Sequence, residues 1–441
     1  MRFESLQAWL SWQETLHPNE IDLGLERVAI VRDRLAISFD DSIVIIIAGT
    51  NGKGSAVAMY ESILLAAGYR VGAYTSPHLL TYNERIRVNG VCVADELICD
   101  SFQRIDTARQ DTSLTYFEFG TLAALDIFSR VHLDVVLLEV GLGGRLDAVN
   151  VIDADLVHFA SIAIDHEQWL GSDRETIAAE KAGVLRQGVA AVCADQHPPA
   201  ALLQAAKHLS VDLKVRGRDF FHTRQGEGFG YNAGEIALTI PLLGADGDYQ
   251  QANASSVIAG LHELALADVS VAFIQQGLAR CRIAGRLQTI SSEPTIILDV
   301  AHNPDAAEQL LAALTAEDAA KNCIAVVGMM KDKDIHQVLA IMSPLVQRWC
   351  FTELASERAA SAEDLCDIAR QLPENNFCGA YANVAEALQS ALHVKKHGKQ
   401  NSKQVSKETG DVRIVVFGSF YTVADAIKFF QANLFSSKLG K

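Results

Sequence analysis

A single lysine closes a glycine-rich turn in Gly49-Thr50-Asn51-Gly52-Lys53-Gly54-Ser55, directly after the β-branched run Ile43-Val44-Ile45-Ile46-Ile47-Ala48. The run reads as a buried strand, and the pattern from Ala56 to Ala67 reads as a helix. Strand, glycine turn and helix N-terminus together make an anion site. Backbone N–H groups converge there, and the helix dipole favours negative charge. Lys53 adds a mobile positive charge suited to the outer phosphates of a nucleotide. The loop departs from the common Walker form. Ile47 stands where that form needs Gly, and the hydroxyl arrives one position late, at Ser55. A generic kinase or GTPase is therefore a poor match.

Further along, the strand candidate 134–140 ends in Glu139 and runs into Gly141-Leu142-Gly143-Gly144-Arg145-Leu146-Asp147. An acid at a strand end beside a phosphate loop resembles a Walker B position, where a carboxylate holds Mg²⁺. Magnesium takes hard oxygen ligands and usually only one or two carboxylates. A capping or surface acid is the other reading of Glu139, and the glycines after it favour the metal. Ser76, in Thr75-Ser76-Pro77-His78, follows the second strand, where a hydroxyl is either a helix cap or a ligand. His166, in Asp165-His166-Glu167, follows another strand and is weak by itself. Lys181 lies on a helical stretch, Ala178-Ala179-Glu180-Lys181-Ala182-Gly183, where a lysine is ordinarily solvated surface.

The elements that must position these residues alternate. Strands are expected at 43–48, 71–75, 134–140 and 156–162. Helices are expected at 4–15, 25–35, 56–67, 95–108, 117–130, 174–186, 251–267 and 270–280. This βαβ rhythm implies a mainly parallel sheet covered on both faces. Residues 211–240 read as a small antiparallel edge. A second rhythm begins near 286, with strands at 295–299, 323–328, 348–352 and 412–417. Its helices fall at 304–315, 334–342, 361–371, 383–393 and 420–433. The hinge is placed at Arg282-Ile283-Ala284-Gly285, with a substrate cleft between two domains. A polar, Lys-rich stretch at 395–409 reads as a solvated loop.

The chain has 441 residues, 49% hydrophobic and 21% charged, with a net charge of −16. That length calls for two or three domains, and the acidic balance excludes a nucleic-acid binder. Eight scattered cysteines form no Cys-x-x-Cys pair, which points to a reduced, cytoplasmic protein. The N-terminus carries no apolar signal core, and no run is long enough to span a membrane.

Taken together, several segments resemble the bacterial dihydrofolate synthase/folylpolyglutamate synthases of the Mur ligase superfamily. They are Ile21 to Arg27, Gly49 to Ser55, Thr75 to His78, Thr115 to Glu118, Leu138 to Asp147, Asp165-His166, Glu180 to Gly183 and Asp299-Val300-Ala301-His302-Asn303-Pro304. The resemblance implies a P-loop-containing, Mur-ligase-like domain over 1–284. A second, smaller doubly wound α/β domain would cover 285–441 and contribute to ATP and glutamate binding. It implies that Gly49, Thr50, Asn51, Gly52, Lys53, Gly54 and Ser55 bind ATP with Asn253, Arg286, Asp299 and His302. Ser76, Glu139 and His166 would hold Mg²⁺, and a carbamylated Lys181 would serve a second ion. Lys53, Lys181 and His166 would be the catalytic residues. Asp22, Leu23, Gly24, Leu25, Thr115, Tyr116, Phe117, Glu118, Leu146, Asp147 and Ala148 would form the pterin site. From the residues alone, Asn253 could equally cap a helix, Arg286 be a linker charge and Asp299 a turn acid. Tyr421 stands where relatives often have His.

The activity implied is ATP-dependent joining of L-glutamate to 7,8-dihydropteroate, and γ-linked extension of tetrahydrofolate. The expected partners are these small molecules only, acting on a monomer with no nucleic acid and no membrane. A Mur-type ligase with a nucleotide-sugar substrate and a non-catalytic nucleotide-binding module are the alternatives. The Asp22-Leu23-Gly24-Leu25 segment speaks against the first.

Overall fold

β1 (Ile43–Ala48) is buried along nearly its whole length, as a run of five β-branched residues demands of a central parallel strand. It lies in the middle of an eight-stranded sheet. The other strands are β2 (Val71–Tyr74), β3 (Ile86–Val88), β4 (Val91–Cys92), β5 (Val135–Glu139), β6 (Leu156–Phe159), β7 (Ala190–Cys193) and β8 (Leu213–Val215). The spatial order is β4-β3-β2-β5-β1-β6-β7-β8. Pairing is parallel from β2 to β8 and antiparallel at β3 and β4. The computed structural model describes residues 2–225, 228–234, 236–241, 247–266, 268–318, 322–374, 376–397 and 412–438.

The antiparallel edge therefore sits at 86–92 and not in 211–240. There, β8 extends the parallel sheet, and β9 (Phe221–Gln225), β10 (Gly228–Ala233) and β11 (Ile236–Pro241) form a separate three-stranded antiparallel sheet. The helices of this part are α1 (Leu6–Gln13), α2 (Glu26–Arg34), α3 (Lys53–Ala66), α4 (Asp95–Arg109) and α5 (Tyr116–Arg130). They continue with α6 (Glu167–Leu170), α7 (Arg174–Ala182), α8 (Ala200–His208), α9 (Asp248–Glu263) and α10 (Val271–Arg280).

Two local decisions shape the site. α3 starts at Lys53, three residues before its apolar pattern does. Gly52 alone of the last three loop residues takes the left-handed conformation, at φ +92°, and its carbonyl accepts from Ala56 N. Gly54 and Ser55 enter the helix despite their modest propensity. At α5, Thr115 and Glu118 form a reciprocal capping box, which fixes the first turn of a helix whose body is almost wholly buried.

The chain forms two compact units, Met1–Gly244 with Tyr249–Arg282 and Ala245–Asp248 with Ile283–Lys441. The second is built on a six-stranded sheet. Its strands are β12 (Gln288–Ser292), β13 (Thr295–Leu298), β14 (Asn322–Val327), β15 (Val346–Thr352), β16 (Phe377–Tyr381) and β17 (Val412–Phe417). Their order is β12-β13-β17-β14-β15-β16, with only β12 antiparallel. The accompanying helices are α11 (Pro304–Asp318), α12 (Ile335–Met342), α13 (Ala362–Ala369), α14 (Val384–His397) and α15 (Phe420–Lys438). Both units are α/β with parallel-rich sheets, as the alternating pattern requires. The Lys-rich stretch lies outside the described residues from 398 onward. All eight cysteines are free thiols. Among the described residues no helix is long and apolar enough to cross a membrane.

Candidate active site

The glycine loop leaves β1 through Gly49, whose φ is +142°. A Cβ there would lie 2.8 Å from the Ala160 Cβ, so glycine lets the chain pass close against the end of β6. The loop is then tied to the strand-end segment 161–163. Thr50 N donates to Ser161 O at 2.6 Å. The Thr50 hydroxyl donates to Ala163 O and accepts from Ala163 N, and Ser161 Oγ donates to Asn51 O. The Thr50 hydroxyl is thus engaged in holding the loop. Lys53 Nζ folds back onto Gly49 O and Thr50 O, each at 3.1 Å.

Ser55 Oγ is buried and has no hydrogen-bond partner among the described residues. An orphaned hydroxyl in the first turn of α3 is costly unless a ligand satisfies it. Glu139 comes alongside because β5 pairs with β1 and places it opposite Ile47. Its side chain is buried and accepts from Ser76 N at 3.1 Å. Both Glu139 oxygens would lie 3.8 Å from a Cβ at Gly54. Ser76, Glu139 and the loop are therefore one neighbourhood. His166 is exposed, with a left-handed backbone at φ +53°, and heads α6; its N–H donates to Asp165 Oδ1.

Lys181 is the least expected member. It is 3% exposed, and Nζ donates to Gly49 O at 2.9 Å, the oxygen that Lys53 also uses. Two ammonium groups share one carbonyl. Burial, then the charge of Lys53, pull the Lys181 pKa down to about 7, against the attraction of Asp165 and Asp147. The sequence did hold a signal. Ile177, Ala178, Lys181 and Ala182 form the buried face of α7, so the lysine falls on the apolar stripe. The glycine segment closes against it. A Cβ at Gly144 would lie 2.9 Å from Lys181 O.

The segments expected around the pterin converge. Arg27 pairs with Asp22 and Glu118, both at 2.9 Å, tying 22–25 to the first turn of α5. The Phe117 ring lies against Gly141, where a Cβ would meet it at 2.4 Å. Tyr74 is in ring contact with Phe117, and Tyr82 with Tyr116, with the Arg85 guanidinium over Tyr82 and Tyr116. Buried Asp147 accepts from Leu142 N and Val149 N; burial pushes its pKa up to about 6. Leu146 is half-buried and Ala148 buried beside it, while Leu23, Gly24 and Leu25 are half-buried. Sequence reasoning did not assign Arg27 a role; its partner Glu118 is 91 residues away.

Asn253, on α9, belongs with the loop. A Cβ at Gly52 would lie 2.8 Å from its Oδ1. The second unit gathers the other candidates. Asp299, buried at the end of β13, accepts from Leu287 N and Ala301 N, each at 2.8 Å. Burial raises its pKa, opposed by Arg286. Arg286 stacks over Phe420 at 5.6 Å, and His302, which bonds Val300 O, lies 6.4 Å from the same ring. Among the described residues no group of three or more His, Cys, Asp and Glu could hold a metal.

Residues 285–419 match the family model described as "Mur ligase, glutamate ligase domain". The dihydrofolate synthase/folylpolyglutamate synthase of Escherichia coli (strain K12) is 40% identical over 432 residues, 97% of this chain and 96% of that protein. A structure of E. coli FolC in complex with DHPP and ADP superposes with a TM-score of 0.89 at 39% identity, covering 98% of each chain. A bifunctional folylpolyglutamate synthase/dihydrofolate synthase with Mn, AMPPNP and L-glutamate bound gives 0.86 at 40% identity, covering 97% of this chain and 98% of that one. Likeness at this level, through the phosphate loop and the second unit alike, means that the chain belongs to the dihydrofolate synthase/folylpolyglutamate synthase family.

Proposed function

We propose that this protein is an ATP-dependent amide ligase that joins L-glutamate to 7,8-dihydropteroate and adds γ-linked glutamates to tetrahydrofolate. The observation that carries the reading is the pair of lysines, Lys53 and Lys181, on one carbonyl of a glycine loop. Lys53 brings positive charge to a site where two anions must meet, and its pressure on the same carbonyl helps to free the Lys181 amine of its proton.

A carboxylate cannot condense directly with an amine, because oxide is a very poor leaving group. Its oxygen instead attacks the γ-phosphorus of ATP, the bond to ADP breaks, and an acyl phosphate forms. The glutamate nitrogen then attacks the acyl carbon, loses a proton, and phosphate departs. Lys53 offsets the charge as carboxylate and triphosphate approach in line. The loop N–H groups and the α3 dipole hold the phosphates. Asn253 adds a carboxamide from the same unit. Arg286, Asp299 and His302 are assigned to the nucleotide from the second unit, which also receives glutamate. The segments joined by Arg27 and Phe117 hold the pterin.

A divalent cation fits the residues present. Ser55 offers an unsatisfied hydroxyl and Glu139 a hard oxygen, the kind of donor magnesium takes before it completes its shell with phosphate and water. Ser76, Glu139 and His166 would hold it, with Lys181 serving a second ion. When bound, the cation neutralises phosphate charge. We assign Lys181 a carbamate. Its neutral amine adds carbon dioxide and releases a proton, and the nitrogen keeps one N–H for Gly49 O. A pKa near 7 supplies that amine. Free thiols at all eight cysteines suit a reducing, cytoplasmic setting.

The test is phosphate release with Mg-ATP, supplying dihydropteroate and tetrahydrofolate separately, each with and without glutamate. Both substrates should give glutamate-dependent phosphate. Glutamate-independent release, or none with dihydropteroate, would overturn the assignment.

A further inference from the structure

A chain of buried hydrogen bonds crosses the first unit through three side chains that have no role assigned above. Tyr60 lies on α3, two turns beyond Lys53. His158 is in β6, opposite Ile47 of β1. Ser256 is on α9, three residues beyond Asn253. All three side chains are fully buried. The Tyr60 hydroxyl lies 3.1 Å from His158 Nδ1, and Ser256 Oγ lies 3.4 Å from His158 Nε2. Ser256 Oγ also donates to Asn253 O at 2.8 Å.

These contacts fix a direction. The serine proton is committed to Asn253 O, so Ser256 Oγ accepts from the imidazole. Nε2 therefore carries the ring proton, and Nδ1 accepts from the tyrosine O–H. Burial, which pushes the His158 pKa down to about 3, keeps the ring neutral. At one end of the relay, a Cβ at Gly260 would lie 1.9 Å from the Tyr60 hydroxyl oxygen, so glycine lets α9 close onto α3. At the other end, the Asn253 carboxamide sits over Gly52, with Nδ2 donating to Gln250 Oε1 at 3.3 Å.

We propose that Tyr60, His158 and Ser256 are positioning residues that set the Asn253 carboxamide against the phosphate loop and thereby tune nucleotide binding. The relay couples the helix that begins at the loop to the helix that carries Asn253. A core fastening alone would need no polar chain, since buried polar groups cost free energy that apolar side chains of the same shape avoid. The inference rests on the reading of Asn253 as a nucleotide contact.

The experiment is a double-mutant cycle on ATP KM and kcat. Tyr60→Phe keeps the ring and removes the O–H. It should raise the ATP KM about threefold to tenfold, the scale of one hydrogen bond, with kcat within about twofold and the dihydropteroate KM unmoved. Asn253→Ala should raise the ATP KM further, and Tyr60→Phe added to it should do nothing more. His158→Gln, whose amide can donate to Ser256 and accept from Tyr60, should stay near wild type, while His158→Leu should reproduce the Tyr60→Phe rise. This second pair carries the test if Tyr60→Phe fails to fold. Additive effects in the double variant, or an unmoved ATP KM in folded Tyr60→Phe or His158→Leu, would overturn the inference. An unchanged ATP KM in Asn253→Ala would overturn the nucleotide reading instead, and the relay's role with it.

Discussion

Replacing Lys181 by methionine should stabilise the fold while abolishing turnover. Lys181 is buried with its Nζ on Gly49 O, beside the Nζ of Lys53. Burial and that neighbour hold its pKa near 7, against an ordinary 10.5. A lowered lysine pKa means that the unfolded chain binds the proton more tightly than the folded one. At about 1.36 kcal/mol per unit, the separation corresponds to roughly 4–5 kcal/mol of unfavourable charge burial. That cost is fully imposed below pH 7, where both states are protonated. It is relieved as pH rises from about 7 to 10.5, because the folded state sheds its proton first. Methionine fills a similar volume without charge. It forfeits the bond to Gly49 O, but that oxygen still accepts from Lys53, so the loss is about 1–2 kcal/mol.

The expected balance is a variant more stable than wild type by about 2–3 kcal/mol near pH 6.5, with the gap narrowing toward pH 9.5. Denaturant midpoints at the two pH values, in buffers freed of carbon dioxide, measure it. Added bicarbonate should then stabilise the wild type and leave the variant unchanged, since only the lysine can form a carbamate. Turnover of the variant should fall to about a hundredth or less. A variant less stable than wild type at pH 6.5, or a gap that widens with pH, would refute the account of Lys181 as a buried, destabilised amine.

Two further outcomes follow. Lys53→Ala should lower turnover about a hundredfold or more, the loss expected for one strong electrostatic group at the reacting phosphate; near-normal turnover would remove the phosphate-loop assignment. Asp299→Asn keeps an acceptor for only one of Leu287 N and Ala301 N, sets its NH2 against the other, and loses the charge beside Arg286. It should raise the ATP KM with the circular dichroism spectrum intact, and an unchanged KM would detach Asp299 from the nucleotide.

What the sequence revealed of this fold follows how local each signal is. β1 was legible because five β-branched residues in succession leave few alternatives to a buried strand. The parallel class was legible from alternation over long stretches. The short strands β3, β4, β7, β8, β12 and β16 carry two to five residues each, too few to show a period. Residues 211–240 look uniformly β-rich, and only pairing distinguishes a parallel outer strand from a separate antiparallel sheet. The start of α3 was misplaced for a comparable reason. Gly54 and Ser55 resemble loop by composition, but the left-handed turn is already complete at Gly52.

The site divides along the same line. Glu139 and the glycine loop were visible because strand, turn and acid occur in sequence order and adjacent parallel strands bring their ends together. Lys181 was reached only through the family resemblance and Arg27 was given no role, because their partners lie 132 and 91 residues away. Lys181 on an apolar helix face was a local conflict, and such conflicts point to groups that the fold tolerates for a chemical reason. The same property accounts for both its obscurity and its use. A lysine that gained a carboxylate partner on its own helix would be easier to read, but it would keep its proton and could not take up carbon dioxide. Desolvation by distant parts of the chain, with Lys53 pressing on the same carbonyl, brings its amine into the neutral form near physiological pH.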